Sequence, residues 1–526
     1  MPTATETLAT LAGDWLSRFE RSPDGSLFLP DSHWRDVLAL TWRIGTVSGR
    51  DAIAAALKGM RARGFRLDPA RTAPREVTRA GEKCVEAIFR FETDAGTGSG
   101  VLRMKDGGAW TLLTALEELK GREKKAAPEA GDPAVLVVGG GQAGLSIAAR
   151  LSRLGVDTLV VDRWPRVGDN WRRRYDALKL HNQVHVNHLP YLPFPSDFPV
   201  YIPKDKLAGW FESYVEAMRI NYWTGAEFLG GAHDGKRWSV EVRRAGDTRV
   251  LHPRHVVLAT GVSGIPSVPD LPALQGFTGK VMHSSQYVDG EDWRGKRAVV
   301  VGTGNSGHDI AQDLYSSGAE VTLVQRSPTL IIQCDPSAQL VYSLYSEGPP
   351  LEDCDLITLS IPFKLSRKSH QLATARAREL DKPLLERLER KGFRLGWGDD
   401  DTGWQFLYLN RGGGYYFNVG CSDLIVEGRI RLAQFSEFEK LLPNADLVVL
   451  ATGWKGQEAL VARLFGKAIA ERVGPVWGFG EGQELRNMFQ RTPQPGLWFI
   501  AGSFAQARIY SKYLALQIQA SELGLI

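Results

Sequence analysis

Two glycine-rich hexapeptides share one spacing in this chain: Gly139-Gly140-Gly141-Gln142-Ala143-Gly144 and Gly302-Thr303-Gly304-Asn305-Ser306-Gly307. In a G-x-G-x-x-G loop the first glycine permits a tight turn, the second admits a pyrophosphate close to the backbone, and the third lets the following helix approach the strand. The anion then rests on free N–H groups at the helix N-terminus, where the helix dipole favours negative charge. The two copies differ at the end of the next strand. The first reaches Asp162, followed by Arg163, and a carboxylate there suits ribose hydroxyls. The second reaches Arg326-Ser327, whose guanidinium and hydroxyl suit a ribose 2′-phosphate. Neither Gln325 nor Arg326 offers the acid that anchors the ribose of NADH. The pair predicts one FAD (or NAD) site and one NADPH site, with use of NADH left open, and hence a nicotinamide that reduces a flavin.

Each loop needs a strand before it and a helix after it. The apolar run 134–138 reads as a strand buried on both faces, followed by a helix at 141–154 and a strand at 158–162. Residues 297–301, the second loop, a helix to about 316 and 321–326 repeat the pattern. Before them, residues 1–120 read as a separate α+β unit, with amphipathic helices at 8–19 and 49–64 and alternating strand patterns at 84–91, 101–104 and 110–116. The charged, apolar-poor stretch 121–133 reads as a linker. The expected fold class is α/β, with two Rossmann-like dinucleotide-binding domains behind that α+β unit. One domain, for FAD, takes 134–292 and 444–526. The other, for NADP, takes 293–443 and includes the irregular stretch 330–440, with a charged helix near 370–391.

Composition narrows the partners. Over 526 residues the net charge is only +4, with 43% hydrophobic and 24% charged residues, which speaks for a soluble enzyme and against nucleic acid. The run Arg172-Arg173-Arg174 is the one local basic cluster of note, and it adjoins Trp171. Cys84, Cys334, Cys354 and Cys421 are scattered without metal or CxxC spacing, so no metal site is expected. With no basic leader and no apolar run of membrane length, a cytoplasmic protein without membrane contact is expected.

The motifs together resemble one family. Phe277-Thr278-Gly279-Lys280-Val281-Met282-His283-Ser284-Ser285-Gln286-Tyr287, flanked by two dinucleotide loops, resembles the FxGxxxHxxx-aromatic fingerprint of class B flavoprotein monooxygenases. Tyr287 stands where the main Baeyer–Villiger type carries Trp, which is closer to the flavin-containing monooxygenases. Gly168-Asp169-Asn170-Trp171 with Arg174-Tyr175 and Leu180-His181, the turn 193–199, Ala259-Thr260-Gly261, Ala451-Thr452-Gly453-Trp454 and the closing stretch 496–515 are similar to further family segments. The resemblance spans about residues 134–526. Residues 1–120 resemble a nuclear transport factor 2-like or SnoaL-like fold, on Asp31-Ser32-His33-Trp34-Arg35-Asp36 and the helix start after Gly49.

The resemblance implies an NADPH-dependent FAD monooxygenase that inserts one atom of O2 into a small organic substrate through a C4a-hydroperoxyflavin. The outcome would be S- or N-oxygenation or Baeyer–Villiger oxidation. The alternative is an NADPH oxidase or dehydrogenase without oxygen insertion. A flavin disulfide reductase would need paired redox cysteines. The resemblance also implies cofactor contacts at Gly168, Trp171, His181, Gly261, Gly453 and Gln506, with catalytic roles for Asn182 beside flavin and substrate, Arg174 as a peroxide-anion partner, and His283, whose role in the family is as much an interdomain hydrogen bond. Tyr510 is a candidate at the flavin edge, Tyr415, Tyr416 and Asn418 are candidate pocket residues, and Asp31, His33 and Asp36 form a candidate acid–base set. The alternative role for the N-terminal unit is docking or dimerisation, and a homodimer is a further expectation.

Overall fold

The computed structural model describes residues 3–120, 132–262 and 264–526. All but the last two residues of the expected linker 121–133 lie outside the described residues.

The N-terminal unit opens with the helix Ala4–Arg21, fixed at its start by a capping box between Thr3 and Glu6. Its apolar stripe (Ala12, Trp15, Leu16, Phe19) lies on a seven-stranded sheet. The strands run in the order Ile44–Ser48, Phe28–Val37, Gly108–Leu119, Gly96–Lys105, Glu82–Thr93, Ala62–Leu67, with Arg75–Arg79 also paired to Glu82–Thr93. Gly98 and Gly100 stand opposite Phe91 and Phe89. A Cβ at Gly100 would come within 2.1 Å of the Phe89 ring, so the missing side chain is what lets the phenyl group lie across its neighbour.

Two five-stranded parallel sheets follow. The first runs Tyr222–Trp223, Thr158–Val161, Val135–Val138, His255–Leu258, Leu497–Phe499. The second runs Lys280–His283, Leu447–Leu450, Arg297–Val301, Glu320–Gln325, Arg431–Gln434. Central strands such as Val135–Val138 and Leu447–Leu450 are wholly buried, as continuous apolar runs covered on both faces require. This allocation corrects the expected boundaries. Strands 280–283 and 447–450, placed by sequence with the first domain, hydrogen-bond to each other and to Arg297–Val301 in the second sheet. The chain crosses between the sheets near the short pair Ile265–Pro266 and Trp454–Lys455.

The irregular stretch is more ordered than its sequence suggested. Leu330–Gln333 pairs in parallel with Tyr415–Asn418, and the helix Phe363–Arg390 extends well before the expected start near 370. The helix Leu351–Leu359 and the C-terminal helix Phe504–Glu522 bear on the N-terminal sheet, where Leu356, Ile357, Ile509, Tyr513 and Leu516 join its core. Arg35–Glu484 (2.7 Å), Arg71–Asp353 (2.8 Å) and Arg79–Glu347 (2.7 Å) fasten the rim of that contact. Among the described residues no helix is long and apolar enough to cross a membrane.

Candidate functional site

Both glycine loops take the geometry their spacing predicts. The helix Gln142–Arg153 starts at Gly141, and Asn305–Ser316 starts at Gly304, in each case with no side chain capping the free N–H groups. Gly139 and Gly302 have positive φ (104° and 116°). A Cβ on Gly144 would stand 1.9 Å from the Gly139 carbonyl oxygen, and one on Gly307 the same distance from that of Gly302. Gly141 differs: its Cβ would meet only the Asn170 amide, at 3.0 Å. The first and third glycines therefore serve the fold, while the second leaves an open cradle of N–H donors that fits a pyrophosphate.

Asp162 is buried at the end of its strand. It accepts hydrogen bonds from Gly140 N (2.7 Å) and Trp164 N (3.0 Å), and the Tyr222 hydroxyl also bonds to it. The loop is thus held in shape by the residue expected to meet the ribose, and a carboxylate retains lone pairs for further donors. Tyr222 was not foreseen; it lies on the neighbouring strand, and its hydroxyl fills the space a Gly140 side chain would need. Arg163 is exposed and stacks on Trp164 at 4.8 Å. Both line an open hollow of about 590 Å³ with Glu227 and Arg243.

At the second loop the Asn305 side chain is used by the protein, accepting from Phe417 N at 2.9 Å, while Ser306 stays half-buried in the first turn. Arg326 and Ser327 are exposed beyond their strand. Sequence reasoning missed Arg394. The buried Gln325 amide pairs with both Arg394 N and Arg394 O (2.9 Å each), and the Arg394 guanidinium donates to the Arg326 carbonyl at 2.6 Å. A second guanidinium is therefore anchored at the strand end that carries Arg326, by a contact that nothing local in sequence announces.

Between the sheets lies the segment 168–182. Gly168 (φ 86°) lets the chain pass against Ala208, whose carbonyl would be 2.5 Å from a Cβ. Trp171 packs near Phe504, and its buried Nε1 has no partner. Arg174 lies over Trp171 at 5.0 Å and donates to Asn170 O. Arg174 is exposed at the surface, yet desolvation by the groups around it lowers its pKa. Burial holds His181 neutral, with its pKa down to about 4, and its ring meets Phe417 edge-on. Asn182 donates to the Tyr342 hydroxyl at 3.0 Å.

The remaining candidates divide. Gly261 accepts from the Gln457 amide, and Gly453 accepts from Ser267 N and pairs with His283 Nε2 at 3.1 Å. His283 Nδ1 faces Ser285, so both ring nitrogens are engaged and the side chain acts as a tie between chain segments rather than as a free acid or base. Gln506 caps the C-terminal helix against Ser503, next to the Gln142–Gly502 bond that joins this helix to the first loop. Tyr510 lies further along, stacked on Phe489 and reached by Arg35, at the contact with the N-terminal unit. Tyr415, Tyr416 and Asn418 do not share a pocket, because neighbours in a strand point to opposite faces. Tyr415 and Phe417 share one face and pack together, whereas Tyr416 stacks on His308 and accepts from Val419 and Cys421, and Asn418 binds Gly420, Ser422, Gln333 and Asp423. The same alternation separates His33 from Asp36. Asp36 is consumed inside the core by Thr41, Thr114 and Leu40, His33 bonds Ser48, and Asp31 is exposed. No acid–base set is assembled there.

Tyr175 and Asp309 join the two nucleotide units through a 2.5 Å hydrogen bond from the phenol to the carboxylate. Asp309 is buried without a cation, and desolvation pushes its pKa up to about 7. Tyr416, Cys421 and Cys334 lie within its electrostatic reach. A raised acid pKa means that the folded state keeps a proton the unfolded chain has released, so stability falls as pH rises from about 4 to about 7. We expect Asp309→Asn to unfold at a higher temperature than the parent at pH 8 and at about the same temperature at pH 4. A parallel pH dependence in both proteins, followed by circular dichroism, would remove Asp309 as the cause.

Residues 136–345 match the family of pyridine nucleotide-disulphide oxidoreductases. Indole-3-pyruvate monooxygenase YUCCA1 of Oryza sativa subsp. japonica is 38% identical over 201 residues, which is 38% of this chain and 49% of that protein. A probable indole-3-pyruvate monooxygenase of Arabidopsis thaliana is 29% identical over 322 residues, 61% of this chain and 75% of that one. The chain thus spans about half the length of several of the curated relatives it matches. Among solved structures, cyclohexanone monooxygenase from Rhodococcus sp. Phi1, bound to NADP+, superposes with a TM-score of 0.51 at 17% identity over 74% of this chain and 85% of its own. An ε-caprolactone-bound cyclohexanone monooxygenase gives 0.53 at 16%, over 74% and 88%. The nucleotide-binding body has the cyclohexanone monooxygenase fold. Disulphide chemistry, named in the family's description, has no counterpart among the side chains: all four cysteines are free, three are buried, and desolvation pushes Cys334 up to about 11, away from a reactive thiolate.

Proposed function

We propose that this chain is an NADPH-dependent FAD monooxygenase that inserts one oxygen atom of O2 into a small organic substrate. The observation that carries the reading is the pairing of two open glycine cradles, one followed by a strand that ends in a buried carboxylate and one by a strand end that holds two arginines. FAD fits the first cradle, with Asp162 toward its ribose, and NADPH fits the second, with Arg326 and Arg394 toward its 2′-phosphate. Bound there, the two cofactors supply hydride transfer and oxygen activation. The chain supplies position and dryness: Trp171, Arg174, His181 and Asn182 line the path between them, and His181 is neutral and so brings no charge to it. The monooxygenase names of the plant relatives support oxygen insertion over simple oxidase activity.

We also propose that residues 1–120 form a nuclear transport factor 2-like unit serving as a docking module. Arg35, which shares a strand face with His33, is spent on Glu484 and the Leu359 carbonyl.

Purified holoenzyme, given NADPH, isotopically labelled dioxygen and a panel of a thioether, a tertiary amine, indole and a strained cyclic ketone, should place label in at least one product. NADPH consumption that yields only labelled peroxide across the panel would establish the oxidase reading instead.

A further inference from the structure

A closed circuit of hydrogen bonds links Asn182 to a helix that the N-terminal unit holds. Arg508, in the second turn of the C-terminal helix, is 3% exposed. Its Nε and Nη2 donate to the two carboxylate oxygens of Asp355 at 2.7 Å each, and its Nη1 donates to the carbonyls of Val186 and His188 at 2.8 Å each. From that irregular stretch the buried Asn187 donates to the Asn182 carbonyl at 2.9 Å, and the Asn182 amide donates to the Tyr342 hydroxyl. Gln339, on the same 3-10 helix as Tyr342, donates to the His181 carbonyl at 2.9 Å. Tyr345, one turn further along, donates back to Asp355 at 2.8 Å.

Asp355 is itself braced. Its helix, Leu351–Leu359, sends Leu356, Ile357 and Leu359 into the N-terminal core, and Ile509, next to Arg508, joins the same core. Asp353 on that helix accepts from Arg71 and from Thr72 N at 2.7 Å, and Arg35 holds the Leu359 carbonyl. An ion pair with Asp355 would need no contact beyond the carboxylate. The planar guanidinium also reaches two backbone carbonyls, and so fixes both the distance and the orientation between the braced helix and the loop; a point-like ammonium cannot. We propose that Arg508 is a positioning residue: it sets the loop 184–188 against the helix 351–359 and, through Asn187, places His181 and Asn182 between the two nucleotide cradles. This rests on the reading of His181 and Asn182 as lining the path between the cofactors, and it gives the N-terminal unit a part in that site without any side chain of its own there.

Arg508→Lys tests the proposal, because lysine keeps the charge opposite Asp355 but cannot serve both carbonyls as well. In the purified full chain, hydrogen exchange should quicken about tenfold or more at the amides of Val184, Val186 and Asn187, as expected for the loss of charge-assisted bonds, while the strands of the first parallel sheet exchange as in the parent. With FAD bound and oxygen excluded, flavin reduction at saturating NADPH should slow about ten- to hundredfold per bound flavin, with the half-saturating NADPH concentration unchanged. Asn187→Leu cuts the circuit beyond Arg508 and leaves the ion pair whole. It should give the same slowing, and the double variant should add little to either single one. Exchange that rises uniformly along the chain would make Arg508 a stabilising residue only, and a loosened loop with the parent's rate of reduction would detach the loop from the cofactors; either result overturns the proposal. If Arg508→Lys does not fold, Asn187→Leu decides alone. Neither measurement uses oxygen, so a failure to label any product would count against the monooxygenase reading and leave this one standing.

Discussion

Gly144→Ala is expected to yield protein that retains no flavin and unfolds well below the parent. The new Cβ would lie 1.9 Å from the Gly139 carbonyl oxygen, so helix and strand must separate by more than an ångström along a fully buried seam. Overpacking of this kind costs about 1–3 kcal/mol even when side chains can yield, and here the obstacle is backbone. Gly141→Ala is the informative companion. Its φ of −79° suits any residue, and its Cβ would touch only a flexible amide. We expect Gly141→Ala to keep the unfolding temperature of the flavin-free parent yet lose FAD affinity by about a hundredfold or more, since the methyl group would occupy the space through which a pyrophosphate reaches the N–H groups. Flavin absorbance after gel filtration, with thermal unfolding, reads both. Flavin retained by Gly141→Ala would show that the cradle is not where the cofactor lies.

The second large effect concerns coenzyme choice. Arg326→Ala should raise KM for NADPH by roughly ten- to hundredfold and leave KM for NADH nearly unchanged, because a charge-assisted hydrogen bond to phosphate contributes about 1.5–3 kcal/mol. Arg394→Ala should act in the same direction, because its guanidinium is held at the strand end by the Arg326 backbone carbonyl, which Arg326→Ala leaves in place; the double variant should show less than the product of the two if both groups read one phosphate. Gln325→Ala should reproduce part of the Arg394 defect without removing a charge, because that amide holds the Arg394 backbone in place. Equal losses with NADPH and NADH would mean that these residues support the strand end rather than read the phosphate.

The shape of the glycine loops was readable in the sequence because it is local. Gly139, Gly141 and Gly144 act within a single turn, and the strand they follow is recognisable as an unbroken apolar run. Asp162 and Arg326 were legible because a strand of standard length fixes where they emerge. The failures share a different cause. Arg394 reaches Arg326, and Tyr222 reaches Asp162, through contacts between segments far apart in the chain. Strands 280–283 and 447–450 were misallocated because an apolar run declares burial but not the sheet in which it lies. Tyr416, Asn418 and Asp36 have the right chemistry for a site, but strand alternation turns them into cores and caps.

The two parallel sheets differ in the stretch of chain they need, and this bears on synthesis. The second draws every strand from 280–450, so it can close once that stretch has left the ribosome. The first waits for Leu497–Phe499, its edge strand beside His255–Leu258, and the N-terminal sheet waits longer for the helix Phe504–Glu522 that covers it. A nascent chain therefore holds a finished centre between two unfinished ends, and a stop codon a few dozen residues early would leave apolar faces of both outer units bare to chaperones and proteases.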